Sequence, residues 1–319
     1  MNSRRQFLKT SAVTLASVAA SGPLFATLLK NTKNVGIQLF TIPAMVAADF
    51  KGTLTKLASI GYKEIEFFGP YEFSAKETIE SWNQFAGSLG ITKNAFYGYK
   101  PTEVKALLKD LGLTTPSVHL DLQTMRTNME PAMEGLSELG TKYVAIPAIA
   151  NPADRSDYNK LADEFNSFAE QMSKYGLTFL YHNHGYEHIV KNGKTLMDTL
   201  LSQTDKDKVK FELDMFWMTA AGASPIEYLK KHPGRFKLLH LKDASEPIRF
   251  SGDGGSFDQW MPLFPKMADP GTGVLDVAGI IEAGKKSGVD HFYLERDMTP
   301  TPDTTLTNSF GFLKSKVSA

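Results

Sequence analysis

The sequence predicts a single (β/α)8 barrel of the α/β class, and three observations lead there. Eight short apolar runs recur from Asn34 onward, spaced to leave room for a helix between each pair, which is the pattern of βα units on a parallel sheet. Several helical stretches end in glycine just before the next run, as at Gly61, Gly140, Gly176 and Gly288, where a left-handed cap turns the chain into a strand. The 319 residues allow two ordinary domains or one large barrel. No second compositional regime, low-complexity linker or repeat beyond the βα alternation divides them.

Residues 1–26 are set apart from the rest. They carry Arg4, Arg5 and Lys9 with no acidic residue, then an uncharged run of small residues from Thr10 to Ala20, the composition of a signal peptide. That run is too short and too weakly apolar to span a bilayer, which takes about 20 predominantly apolar residues. Ser3-Arg4-Arg5-Gln6-Phe7-Leu8-Lys9 resembles the twin-arginine export motif at every specified position. The resemblance implies the twin-arginine machinery as a partner, cleavage between Ala20 and Ala26, and a periplasmic or secreted barrel over 27–319 with no stable membrane insertion. Removing three basic residues from 35 leaves 32 against 35 acidic ones, so the mature chain is slightly acidic and gives no electrostatic reason to bind nucleic acid. There is no cysteine, which excludes disulfides, thiolate metal sites and cysteine nucleophiles.

The strands follow in order: Val35–Phe40, Glu64–Phe68, Ser117–Leu120, Tyr143–Ile146, Leu177–Tyr181, Lys210–Leu213, Lys237–Leu241 and His291–Leu294. Each is a short, largely apolar run, with a helix-length stretch before the next. Between them, stretches such as 163–174 place apolar residues at i, i+3 and i+4, as outer helices do. The second connection is the longest, with helical patterns over Ala75–Leu89 and Thr102–Leu111 separated by Phe96-Tyr97-Gly98-Tyr99, an aromatic excursion able to cap the barrel mouth.

Functional groups of such barrels gather at the C-terminal ends of the strands. The second strand ends in Glu64-Ile-Glu66, the third in His119-Leu-Asp121, and the fifth in a run that includes His182, His184, Glu187 and His188. The last three end at Glu212-Leu-Asp214, His240-Leu-Lys242-Asp243 and Glu295-Arg296-Asp297. Imidazoles and carboxylates crowded at one rim are what a divalent metal needs.

On these residues the C-terminal half resembles the xylose-isomerase-like barrels of sugar isomerases, epimerases and dehydratases. The resemblance implies one divalent cation on Asp214, His240 and Glu295, with His182 standing where the family places a glutamate. Two nitrogens and two carboxylates suit Mn, Co, Fe or Zn better than Mg, and leave positions open for sugar oxygens. The expected chemistry is proton abstraction next to the carbonyl of a sugar or keto-sugar, a 3-keto-glycoside among them. A metal-bound imidazole is a poor proton carrier, so His182 argues against a symmetric two-base epimerisation and for one-base enolisation followed by elimination or isomerisation. Glu295 is the first candidate base and Glu187 the second, with Lys242 to neutralise the enediolate. His184, His119, Glu66, Arg296 and Trp217 are candidate substrate contacts, and Phe40, Phe68, Tyr97 and Tyr186 could join Trp217 in a wall that stacks on sugar.

Several bland readings stand beside these. Asp243 and Asp297 read as helix N-caps. Glu212 points into the barrel, where it needs a partner. His184-Gly-Tyr-Glu187-His188 satisfies H-x-x-E-H, but that motif works only on a helix, and here it follows a strand and contains a glycine. A non-catalytic sugar-binding barrel, or an endonuclease-type metal barrel, are the alternative functions; the second would need more metal-binding histidine and a basic face.

Overall fold

A computed structural model describes residues 33–88, 96–149 and 151–318. The expected signal peptide therefore lies outside the described residues. Eight parallel strands run β1 (Val35–Gln38), β2 (Glu64–Glu66), β3 (Ser117–His119), β4 (Tyr143–Ile146), β5 (Thr178–His182), β6 (Val209–Asp214), β7 (Phe236–Leu241) and β8 (His291–Leu294). Their order in the sheet is β2-β1-β8-β7-β6-β5-β4-β3. Single bridges from Glu64 to Thr114 and from Phe67 to Val118 join β2 to β3 and close the barrel. The single-barrel expectation holds.

Strand alternation divides the barrel into two faces. Phe179, Tyr181, Phe211, Leu213, Leu239, Leu241, Phe292 and Leu294 point outward into the main core, which also takes in α1 (Phe50–Ile60) and Phe165 of the later helix Tyr158–Ser173, packed on Phe179 and Tyr181. The opposite face fills the barrel. At the bottom it is apolar: Tyr143, Ala145, Leu180, Leu238 and Tyr293 form a separate cluster. Two residues further along the same strands the inward positions become His182, His240 and Glu295, and the next on β7 is Lys242. The interior is thus an oily plug beneath a charged layer at the C-terminal mouth. Gly36 makes room for the plug, because a Cβ there would meet the Tyr293 ring at 2.4 Å.

The excursion between β2 and β3 contains α2 (Lys76–Ser88) and α3 (Pro101–Asp110), with a turn at 96–98. Later outer helices are α4 (Met129–Leu139), α5 (Tyr158–Ser173), α6 (Leu196–Gln203), α7 (Pro225–Lys231), α8 (Val277–Ser287) and α9 (Pro302–Val317). Gly140 and Gly288 supply the left-handed caps expected of them, at φ 86° and 88°. A second apolar cluster, with Phe216, Trp217, Ile248, Leu263 and Met267, sits under the loops after β6 and β7 and fixes that side of the mouth.

Candidate metal centre

Strand register brings the strand-end residues to common levels. His182 pairs with Glu212 across β5 and β6, Asp214 with His240 across β6 and β7, and Gln38 with Glu66 across β1 and β2. Two layers result. In the upper layer His240 Nδ1 lies 2.6 Å from Glu295 Oε2, and His182 Nε2 lies 3.8 Å from Asp214 Oδ2. The Lys242 ammonium joins this layer, 3.0 Å from Asp214 Oδ2 and 2.8 Å from both Glu295 Oε2 and Asp297 Oδ2. In the lower layer His182 Nδ1 and His119 Nε2 approach Glu212 Oε2 at 3.0 and 2.8 Å, and His240 Nε2 approaches Glu66 Oε2 at 2.6 Å. All of these side chains are buried, Asp214 and His240 completely so at 0% exposure.

Burial favours neutral forms, and the charges around it decide the outcome. It works against charge on Lys242, but Asp214, Asp297 and Glu295 outweigh it and keep the ammonium protonated. Glu212, Glu295 and Glu66 likewise outweigh burial at His240 and raise it well above the ordinary imidazole range. At His182 burial prevails and holds the ring neutral. Lys242 and His240 overcome burial at Glu295, which stays ionised.

A divalent cation fits these residues. The buried cluster holds five carboxylates (Glu66, Glu212, Asp214, Glu295, Asp297) against the Lys242 ammonium and the raised His240; burial pushes Glu66 upward and Asp297 to about 7, toward their neutral forms, and a divalent cation would relieve the same excess of negative charge. Asp214 Oδ2 receives no aligned hydrogen bond despite the nearby Lys242, and the neutral His182 turns Nε2 toward it, so two electron-pair donors face each other. Asp214 Oδ1 is meanwhile fixed by the N–H groups of Phe216 and Trp217, which cap the short helix Met215–Ala220. Asp214, His240 and Glu295 offer ligand atoms within 4.8 Å of one another, as do His119, His182, Glu212 and His240.

The structure thus gathers His182, Asp214, His240, Glu295, Lys242, His119 and Glu66. Trp217 joins them, its ring 5.3 Å from the Lys242 ammonium, and His184 stacks on Trp217 at 5.9 Å and packs against Trp260 at 4.7 Å. Glu187 is a correction: its oxygens accept from Tyr181 Oη and from the N–H groups of His184 and Gly185, so it locks its own loop and is no second base. Arg296 is another, held by Asp269 at 2.7 Å and by Thr305 rather than aimed at substrate. Asp297 is no helix cap but a partner of Lys242, and Asp243 binds the N–H groups of Gly271, Gly273 and Leu275, shaping a loop. The H-x-x-E-H residues lie in a turn, with His188 against Tyr228, not on a metal-binding helix.

Sequence reasoning missed Gln38, whose amide donates to Glu66 Oε2 at 2.9 Å; asking what β1 ends with would have found it. It also missed most of the aromatic wall. Tyr97 packs on Phe50 and Tyr186 bonds to Ile149 N–H, both outside the wall. The rings that do run together are Phe40–Phe68 (5.3 Å), Phe68–Trp82 (5.7 Å), Trp82–Phe85 (5.7 Å), Phe85–Phe257 (5.5 Å) and Phe257–Trp260 (6.5 Å), ending on His184. This arc links α2 to the short helix Phe257–Trp260 across the mouth.

A closed parallel barrel with a buried histidine–carboxylate centre at its C-terminal mouth defines a class of metal-binding α/β barrels. Residues 54–316 match the xylose isomerase-like TIM barrel family, and the chain belongs to it. It is 24% identical over 158 residues to an inosose dehydratase of Geobacillus thermodenitrificans, a match covering 49% of this chain and 51% of that one. The first of the curated relatives, another inosose dehydratase, is matched over only 31% of its length, so the likeness spans from a third to a half of such proteins. Among solved structures, a sugar phosphate isomerase/epimerase from Parabacteroides distasonis is similar at 23% identity and TM-score 0.67, over 90% of this chain and 96% of that one. The IolI protein with a bound zinc atom is similar at 16% identity and TM-score 0.62, over 89% and 96%. These two likenesses concern the fold.

Proposed function

We propose that this chain is an exported, divalent-metal-dependent lyase or isomerase/epimerase that removes the proton next to a carbonyl of a sugar or keto-sugar, with 3-keto-glycosides among the candidate substrates. The observation that carries the reading is the upper layer: Asp214, His240 and Glu295 bring donor atoms within 4.8 Å of one another, with His182 Nε2 3.8 Å from Asp214 Oδ2, on a rim flanked by aromatic rings. The names of the relatives, dehydratases and sugar isomerases or epimerases, agree with it.

The four residues would hold the cation, which when bound polarises the substrate carbonyl and acidifies the neighbouring C–H. Glu295, kept ionised, accepts that proton. Lys242, beside it at 2.8 Å, stabilises negative charge as it develops on the carbonyl oxygen, and in elimination can protonate the departing oxygen. Trp260 and His184 offer ring faces to the sugar, while Trp217, 1% exposed and stacked against Phe250 and His184, packs beneath them. With Glu187 locked in its loop and His182 committed as a ligand, the centre has one placed base, which favours elimination or isomerisation over inversion by two bases.

Metal analysis of the purified mature chain should find one divalent cation, lost in Asp214→Ala and His240→Ala. The loaded protein, offered keto-sugars and 3-keto-glycosides in deuterated water, should either incorporate deuterium (isomerase) or form an enone (lyase). Absence of stoichiometric metal would sink the enzymatic reading; bound metal with neither product would leave a sugar-binding barrel.

A further inference from the structure

The lower layer has no place in that chemistry, yet two glutamates buried inside a barrel call for a reason. We propose that Glu212 and Glu66 are positioning residues that decide which nitrogen of His182 and of His240 is offered to the cation; this rests on the metal reading above.

The hydrogen-bond inventory of the layer supports the assignment. A carboxylate can only accept, so each ring nitrogen against Glu212 or Glu66 carries the hydrogen. Glu212 Oε2 takes His182 Nδ1–H at 3.0 Å and His119 Nε2–H at 2.8 Å. Glu66 Oε2 takes His240 Nε2–H at 2.6 Å and the Gln38 amide at 2.9 Å. Four N–H groups from four strands thus converge on two oxygens. For His182 the tautomer follows: Nδ1 is protonated, and the lone pair is left on Nε2, 3.8 Å from Asp214 Oδ2. His240 has a carboxylate at both nitrogens, Glu66 at Nε2 and Glu295 at Nδ1, each 2.6 Å away, so without a cation both carry hydrogen; a cation held with Glu295 would take the place of the Nδ1 hydrogen and leave Nε2–H on Glu66. The two histidines would then offer opposite nitrogens to the cation, each with a glutamate against its other nitrogen. His119 and Gln38 touch no upper-layer carboxylate in these contacts and serve to hold the two glutamates still.

The same inventory argues against a second cation among His119, His182, Glu212 and His240, although their ligand atoms are close enough for one. A metal needs lone pairs, and the nitrogens on this side present hydrogens. Carboxylates are required here rather than amides. A glutamine could present its NH₂ to the ring and favour the wrong tautomer, and it would forfeit the charge that makes the imidazole a stronger ligand.

The test is cobalt titration of the metal-stripped mature chain against a competing chelator, with metal content by mass spectrometry and ring tautomers from ¹⁵N-histidine NMR of the zinc-loaded form. The expected result is one cation per wild-type chain, with His182 protonated at Nδ1 and His240 at Nε2. Glu212→Gln and Glu66→Gln should each still bind one cation at saturation, with affinity weaker by about 10–100-fold. The tautomer measurement needs no variant, so a substitution that fails to fold does not blunt the test. Wild-type affinity in both variants, the opposite tautomers, or two cations per chain with one lost in His119→Ala would each overturn the proposal while leaving the metal reading intact. No bound cation in the wild type would overturn both.

Discussion

His188 sits half-buried with its ring 5.1 Å from that of Tyr228 and neither nitrogen hydrogen-bonded, and burial pushes its pKa down to about 4. An unfolded histidine titrates near 6.5, so the folded chain binds this proton less readily than the unfolded one. The stability that the neutral ring confers is present above pH about 6.5 and lost as the pH falls toward 4, at most roughly 3 kcal/mol over that span. Urea unfolding at pH 7 and pH 5 should show the wild type losing more stability than His188→Phe; equal losses would refute the assignment. Its neighbour Glu187 makes a second case. Removing the carboxylate in Glu187→Ala leaves the Tyr181 hydroxyl with Tyr186 alone and strands the N–H groups of His184 and Gly185, a loss of about 2–4 kcal/mol in thermal unfolding, while metal content stays at the wild-type level. Both residues belong to a motif that looks catalytic in one dimension. The glycine at 185, with φ 108°, bends it out of a helix, which the residue types alone foreshadowed.

The strands and their caps were legible because their causes are local. Tyr143–Ile146 and His291–Leu294 match their expected bounds, since each is a short buried run closed by turn chemistry at both ends. The charged mouth was legible for a related reason, as period-two alternation carries the Leu180–His182 and Leu238–His240 faces inward together. What could not be read was the pairing of groups far apart in the chain: Gln38 with Glu66, Lys242 with Asp297, and Phe85 with Phe257, which meet only once the barrel closes. The aromatic arc is the largest such feature. If it supplies the sugar-stacking face, Trp82→Ala and Trp260→Ala should each raise KM roughly 3–10-fold, the range of one ring's stacking energy, and change kcat less than twofold. A fall in kcat at unchanged KM would instead place these rings in the chemistry.

Over the whole molecule, the candidate centre draws side chains from Gln38 on the first strand to Asp297 after the last, so it exists only in the completed barrel. Its carboxylates repel one another until a cation is bound, and the chain has no cysteine with which an oxidising compartment could brace it. On the proposed reading, such a protein would gain from folding and loading a metal before export, which is the service offered by the twin-arginine route that Ser3–Lys9 resembles. Among the described residues no helix is long and apolar enough to cross a membrane. Replacing Arg4 and Arg5 by lysine keeps the charge while removing the paired guanidinium groups. The expected outcome in a bacterial host is loss of the processed form from the periplasmic fraction, with a precursor about 26 residues longer accumulating in the cytoplasm, already folded and resistant to protease. Wild-type protein recovered from the periplasm should carry its divalent cation even when the periplasm is depleted of metal by a chelator that does not enter cells. Unchanged export of the double-lysine variant would assign the leader to a pathway that threads unfolded chains, and the cation would then have to be acquired outside.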